Sequence, residues 1–434
     1  MKRSIKESVF IVIFILSSFT LKAQESISLS LEKAVEYALQ YNKVLQNAKF
    51  SVQSTKEKIW ETTAAGLPQA SASINYNNYL GANAELRLDP SGPPAIIEFN
   101  PTSSINFSVN QLVFSGNYYV GLQMAKIAYQ AADLSVQKTE LDIKEQVTRA
   151  YYLVLVSERT VKIIESNKIN SAKIYEKTRN LANAGIIEKT EADKLSVMVT
   201  SVENAQKAAE RQLEIAYNML RLQLGADANT EINLTTLLDE VSQKSKFENA
   251  VVSPFNIENN IDYNLILVQG RIAKSQVSLQ KTNYLPTLTG FYSYTEKLLK
   301  PKFDMTPKNV VGLNLSVPIF SSGMRKSKVA QAKINLKMVE TNTQLVNQQL
   351  TIQEKQLRYN LNNMLEQYEN QKTNVDIAKE VFDKMNLKFQ QGIVSSLELT
   401  SANNSYLSAE SSYINILFQL LDAELALRKL NGNF

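Results

Sequence analysis

The sequence predicts a mostly α-helical protein with a transmembrane β portion, and three observations predict it. The chain carries Gly116, Gly185 and Gly225, then Gly323, Gly392 and Gly432, so each glycine recurs at an offset of 207. In each set 68 residues separate the first glycine from the second and 39 the second from the third; apart from Gly121 these spans hold no Gly or Pro. Matched spacing of this length reads as an internal duplication. The second observation is a heptad seam. Positions Leu350, Leu357, Met364, Gln371, Ala378 and Met385 alternate at 3–4 spacing with Glu354, Leu361, Tyr368, Val375, Phe382 and Phe389, and ten of the twelve are apolar, a coiled-coil signature. Third, four stretches switch to alternation, less cleanly in the third, with an apolar face against a small polar face of Ser, Asn and Thr.

Taken in order, residues 1–23 carry Lys2, Arg3 and Lys6, an apolar run from Val9 to Leu16 and then Leu21-Lys22-Ala23. This is a secretory signal with cleavage after Ala23, its apolar core too short to span a bilayer. Its removal takes away four basic groups and one acid, so the formal charge falls from +5 to +2 and no nucleic-acid surface is indicated. The first repeat, 24–225, then reads as a helix over 30–66, a β-hairpin over 69–113, a long helix over 117–184 and a returning helix over 187–224. The first helix ends at Gly66-Leu67-Pro68, where proline disfavours helix in the preceding residue. Beyond it Ala70, Ala72, Ile74 and Tyr76 oppose Ser71, Ser73, Asn75 and Asn77; after a loop with Pro90, Pro93, Pro94 and Pro101, Ile105, Phe107 and Val109 oppose Asn106, Ser108 and Asn110.

Residues 226–256 differ in texture, with Asn, Ser, Thr and acids around Leu237-Leu238 and Val251-Val252. They read as a side structure of short helices or strands, with a flexible linker as the alternative. The second repeat, 257–434, reads as a helix over 257–284 ending at Leu285-Pro286, a hairpin over 287–319, a long helix over 324–391 and a helix over 395–431. Its first strand has Leu288, Tyr292 and Tyr294 on the apolar face, and Phe291 breaks the polar face; its second has Val311, Leu313, Leu315, Val317 and Ile319 opposite Asn314 and Ser316. A 68-residue helix rising about 1.5 Å per residue would be roughly 100 Å long.

Strands of this length cross a bilayer when tilted, and Trp60, Tyr76, Tyr79, Tyr284, Tyr292 and Tyr294 fall near strand ends as interfacial girdles do. A half-buried antiparallel sheet shows the same alternation, but the near absence of charge on the polar face suits a wet lumen better. Four strands cannot close a barrel, so several copies must share one wall; two, three or four would give eight, twelve or sixteen strands. The chain has no Cys and no His, which removes disulfides, thiol nucleophiles, the usual zinc sites and His-based acid/base chemistry, and no phosphate loop or nucleophile elbow is present. No enzyme and no cofactor are expected.

The doubled order of helix, Leu-Pro, hairpin, Phe/Gly, long helix, Gly and helix, behind a signal peptide, resembles the TolC family of outer-membrane efflux proteins across essentially the whole mature chain. The resemblance implies a homotrimer. Its duplicated long helices would form a coiled-coil α-barrel across the periplasm, and its four strands per protomer a shared 12-stranded β-barrel in outer-membrane lipid. It implies a passive exit duct of a tripartite efflux pump or type I secretion system, partnered by a periplasmic adaptor and an inner-membrane transporter. In the family the hairpin tips close the periplasmic aperture, often with acidic rings.

Here the tip turns, expected to contact the adaptor, are Ala184-Gly185-Ile186 and Gln391-Gly392-Ile393, each followed at the sixth residue by an acid, Glu191 and Glu398. Three copies converging on one axis would bring like carboxylates together, favouring cations and raising some of their pKa values. Glu398 is the first candidate, then Glu191 and Asp193. The structural reading stands beside it: Ser395-Ser396-Leu397-Glu398 is a capping box, and acids in a first helical turn favour the helix dipole without any pore. Where some members lock the tip with a tyrosine and an arginine, this chain has Phe389 and Val394, so Phe389 becomes a candidate apolar constriction. The competing function is a secreted coiled-coil structural or adhesive protein with a soluble β head. A carboxylate-only hydrolase would need paired acids in a cleft, and the sequence shows no such pair.

Overall fold

A computed structural model describes residues 26–87, 92–300, 304, 306–432 and 434; the signal segment 1–23 and Pro90 lie outside the described residues. In chain order the elements are β1 (Ser26–Leu29), α1 (Leu31–Tyr41), α2 (Lys43–Ala64), β2 (Gln69–Asn77), β3 (Asn83–Leu86), β4 (Ala95–Glu98), β5 (Thr102–Ser115) and α3 (Gly116–Asn183). There follow α4 (Lys189–Leu224), β6 (Glu231–Leu234), α5 (Leu238–Val241), α6 (Lys244–Val252), a 3-10 turn (Ile257–Asn259), α7 (Ile261–Thr282), β7 (Thr287–Leu299), β8 (Asn309–Ser316), α8 (Met324–Gln390) and α9 (Ser396–Leu430). The described chain divides into two units. One combines residues up to Asn47 with Lys138–Asn260 and Gln349–Phe434; the other combines Ala48–Gln137 with Ile261–Gln348.

The second unit contains a four-stranded antiparallel sheet in the order β2-β5-β7-β8. The period of two puts alternate side chains on opposite faces. Ser71 and Ser108 meet on the polar face with their hydroxyls 2.8 Å apart, and Thr295 donates to Asn106 at 2.7 Å. On the other face Ile74, Val311 and Leu313 remain 73%, 82% and 73% exposed, so the apolar face is uncovered. The expected Pro-rich loop of the first hairpin contains a short ladder of its own, β3 against β4, with Ala84 in register with Ile97 and Leu86 with Ala95.

Where helices meet this sheet, side chains from both repeats fix the joints. Tyr118 lays its ring against Gly66, where a Cβ would sit 2.4 Å from it, and its hydroxyl donates to the Thr63 carbonyl. Asn117 donates to Asn283 at 3.0 Å, and the Thr282 hydroxyl donates to Asn117. Arg325, nearly buried, donates to the Pro318 carbonyl at 2.6 Å and stands over the Tyr284 ring.

In the first unit the heptad seam of α8 is the face that packs: all twelve seam residues from Leu350 to Phe389 are buried or half-buried. Two expected helices are shorter than the pattern implied. The helix expected over 30–66 breaks at Asn42, whose extended backbone ends α1 while its side-chain oxygen accepts from Val44 N and Leu45 N, capping α2. The helix expected over 257–284 begins at Ile261, after the 3-10 turn and Asn260. Both asparagines also clamp a distant helix end: Asn42 Nδ2 donates to the Gln223 carbonyl at 2.7 Å, and Asn260 Nδ2 to the Leu430 carbonyl at 2.9 Å. These carbonyls are satisfied by chain that no local pattern connects to them.

The inter-repeat segment is ordered and tied down. Strand β6 pairs in parallel with β1, and Tyr151 OH donates to the Leu29 carbonyl while accepting from Thr236 N. Helix α6 is held to α8 by Arg358, which donates to the Val251 and Ser253 carbonyls and pairs with Glu354. That pairing explains why Glu354, a charged residue in an apolar seam, is buried: its charge is met by a guanidinium fork.

Candidate functional site

The two helical hairpins close in the same way. Gly185 and Gly392 adopt φ of 73° and 75°, and the following residue reaches back, Ile186 N to the Leu181 carbonyl and Ile393 N to the Lys388 carbonyl, each at 3.0 Å. This is the Schellman closure, which needs a left-handed residue where glycine alone escapes a Cβ penalty. Neither glycine has anything within 4 Å of its missing Cβ, so both turns point into open space. Ile186, Ile393 and Leu397 are 68%, 65% and 66% exposed beside them. Ile186 and Ile393 belong to the tip turns read from the sequence, whereas Leu397, one residue before Glu398, is passed over by reading the acids alone.

Glu398 forms the complete capping box of α9: its carboxylate accepts from Ser395 N at 2.8 Å and Ser395 Oγ at 3.0 Å, while Ser395 Oγ accepts from Glu398 N. These bonds, the backbone one foremost, hold its carboxyl below the usual range. Glu191 does something different. From the first turn of α4 it accepts from Ser396 N at 3.3 Å and from Ser396 Oγ, across 205 positions of sequence, and its other oxygen pairs with Lys194 at 2.7 Å. Lys194 and then Ser396 hold this carboxyl below its ordinary value too. Ser396 is only 1% exposed, so Glu191 reaches into a closed seam and joins one hairpin to the other. Asp193, on the same turn, is exposed.

Phe389 is not a free constriction within one protomer. It packs, partly buried, with Ile174, Met385 and Tyr406 against Phe382, Leu399 and Ala402, because the heptad that carries it continues to the end of α8. Phe382 stacks on Tyr406 at 5.9 Å between centroids. One turn deeper Asn167 donates to Asn403 at 2.7 Å, both buried, so the hairpins are joined by polar as well as apolar contact. Among the described residues no group of three or more Asp or Glu is placed to hold a metal ion, and no helix is long and apolar enough to cross a membrane. The tips present acidic and exposed apolar side chains, and within one chain the two hairpins are joined to each other by Glu191 on Ser396 and Asn167 on Asn403.

Comparison with known proteins places these features. A model of the family described as outer membrane efflux protein matches residues 34–226 and 267–433. The chain is 23% identical over 393 residues to outer membrane protein TolC of Salmonella enteritidis, covering 87% of this chain and 76% of that one. Among solved structures it superposes on CusC, in crystal structures concerned with folding and transmembrane channel formation, with a TM-score of 0.76, 16% identity and 96% of each chain covered. It also superposes on the outer membrane protein VceC of Vibrio cholerae with a TM-score of 0.70, 15% identity, and 93% and 96% covered.

Proposed function

This chain belongs to the outer membrane efflux protein family, and from that premise we propose that three copies join into one passive exit duct whose barrel wall is shared. Family membership displaces the soluble-rod alternative and places the protein at the outer membrane. The observation that carries the assembly is the sheet: its apolar face is uncovered, and among the described residues its outer strands β2 and β8 have one neighbour each. An open strand edge leaves N–H and C=O groups that lipid cannot satisfy, so β2 of one copy must pair with β8 of another. Three copies give twelve strands. The helical hairpins continue the duct in the periplasm, where an adaptor protein of an inner-membrane transporter would meet the turns at Gly185 and Gly392.

Absence of cysteine makes the test direct. Single cysteines scanned over Ala70–Ile74 on β2 and Val311–Leu315 on β8, combined in pairs and oxidised in membranes, are expected to give a ladder that ends at three chains. A ladder ending at two or four, or none at any register, would overturn the shared barrel.

For the hairpin tips we propose that they form the aperture, with Glu398, Glu191 and Asp193 facing it in that order of weight and Glu191 acting as the latch to Ser396. A carboxyl whose folded pKa lies below its unfolded value contributes stability that is present above the unfolded value, near 4.5, and lost as pH falls through the folded one. Single-channel conductance of the wild type is therefore expected to rise on acidification below about pH 4.5, as the latch protonates. Glu191→Gln should conduct more at neutral pH and lose that step, whereas Glu398→Ala should reduce cation preference while leaving the step in place. An unchanged acid step in Glu191→Gln would refute the latch.

A further inference from the structure

The polar face of β7 runs Thr287, Thr289, Ser293 and Thr295, with one interruption, Phe291. The ladder pairs Phe291 with Asn110 on β5 and with Gly312 on β8, and pairs Asn110 with Gln69 on β2. A Cβ built on Gly312 would lie 2.7 Å from two ring carbons of Phe291 and 3.5 Å from a third. The distal half of the phenyl ring therefore lies across β8 where the strand has no side chain. Val310, paired with Ser293, lies on the same face beside it. The result is a patch of phenyl and isopropyl in a wall of Ser, Asn, Thr and Gln, where β5 adds Leu112, paired with Thr289.

We propose that this patch is a solute-binding collar inside the duct, selective for molecules that present a flat aromatic face, and for aromatic cations above all. The proposal rests on the shared barrel described above, which sets three copies of the patch around one lumen. A water-filled duct of small polar side chains offers a passing solute only exchangeable hydrogen bonds, whereas a phenyl face attracts apolar rings by contact and cations through its quadrupole. Gly312 lets the ring lie along the wall, so the collar binds without closing the bore. Any side chain at 312 would meet the ring and lift it into the lumen.

The test uses purified full-length protein in planar bilayers. Tetraphenylphosphonium is expected to block the wild-type current at concentrations where tetramethylammonium, of the same charge, does not. Phe291→Ser should weaken that block by ~5-fold or more, the scale of an aromatic contact, and Phe291→Leu, which keeps apolar bulk without the π face, should fall between. Gly312→Ala should lower open-channel conductance. Normal channels in which Phe291→Ser and Phe291→Leu leave the block unchanged would overturn the collar and leave the ring as a packing partner of Gly312. If the wild type gave no conductance, the duct itself would fall and take the collar with it.

Discussion

Alanine at Gly225 is expected to prevent the first unit from folding, while alanine at Gly185 leaves it folded, although the two glycines have the same φ of 73°. The difference lies in what surrounds them. At Gly185 a Cβ would meet nothing, so the change costs only the left-handed conformation, about 1 kcal/mol. At Gly225 the same Cβ would lie 2.5 Å from the Tyr41 carbonyl oxygen and 2.9 Å from its carbon, and both are backbone. Relief requires moving the chain at Tyr41-Asn42. That movement breaks the Asn42 bond to the Gln223 carbonyl and its two bonds to the α2 amides, a cap plus a buried hydrogen bond. Together these losses amount to roughly 4 kcal/mol or more. Recovery of folded protein in membranes and the denaturation midpoint in detergent check this. Equal behaviour of the two variants would show that the close approach is not fixed.

Lys246→Met is expected to destabilise the protein by about 3 kcal/mol at neutral pH, the scale for stripping one partner from a buried charge. Glu424 lies on α9 with its side chain 2% exposed, and Lys246 Nζ and Arg428 Nε each stand 3.6 Å from a carboxylate oxygen. Lys246 also donates to Tyr152 OH at 3.1 Å and sits over that ring, whose hydroxyl burial pushes up. Burial raises the Glu424 carboxyl above its ordinary value, and the two cations oppose the rise. A carboxyl raised by folding contributes stability at low pH that is lost as pH climbs from the unfolded value through the folded one. Losing Lys246 widens that window, so the penalty should grow with pH above about 4.5. Adding Glu424→Gln to Lys246→Met should recover most of the loss and abolish its pH dependence. A double variant no better than the single one would contradict the pairing.

Local pattern read the long elements well because they are repetitive: the α8 seam, the alternating strands and the turn glycines each follow a period that a chain segment shows by itself. What it missed depends on distant partners. Nothing near Asn42 announces a helix break, since its reason is the Gln223 carbonyl and the backbone at Gly225. The four-residue strand β1 is too short to carry a pattern, and its partner lies 205 positions away. Asn42 and Asn260 stand 218 apart while the carbonyls they hold stand 207 apart, so the extra length lies between each asparagine and its long helix, where the first hairpin carries β3 and β4. At the tips the acids were legible as caps and as aperture candidates, but the reach of Glu191 to Ser396 was not. The capping box accounts for Glu398 within one stretch of sequence, whereas Glu191 acts only once two stretches have met.

The parallel pairing of Ser26–Leu29 with Glu231–Leu234 sets an order of events in biogenesis. A chain delivered amino end first brings out its leading strand long before the strand that will flank it, and the intervening half of the polypeptide must be secreted before those four residues find their ladder. Until then the front of the nascent protein is open to chaperones and to proteases. The ladder between β1 and β6 therefore closes only after the whole first repeat has been delivered.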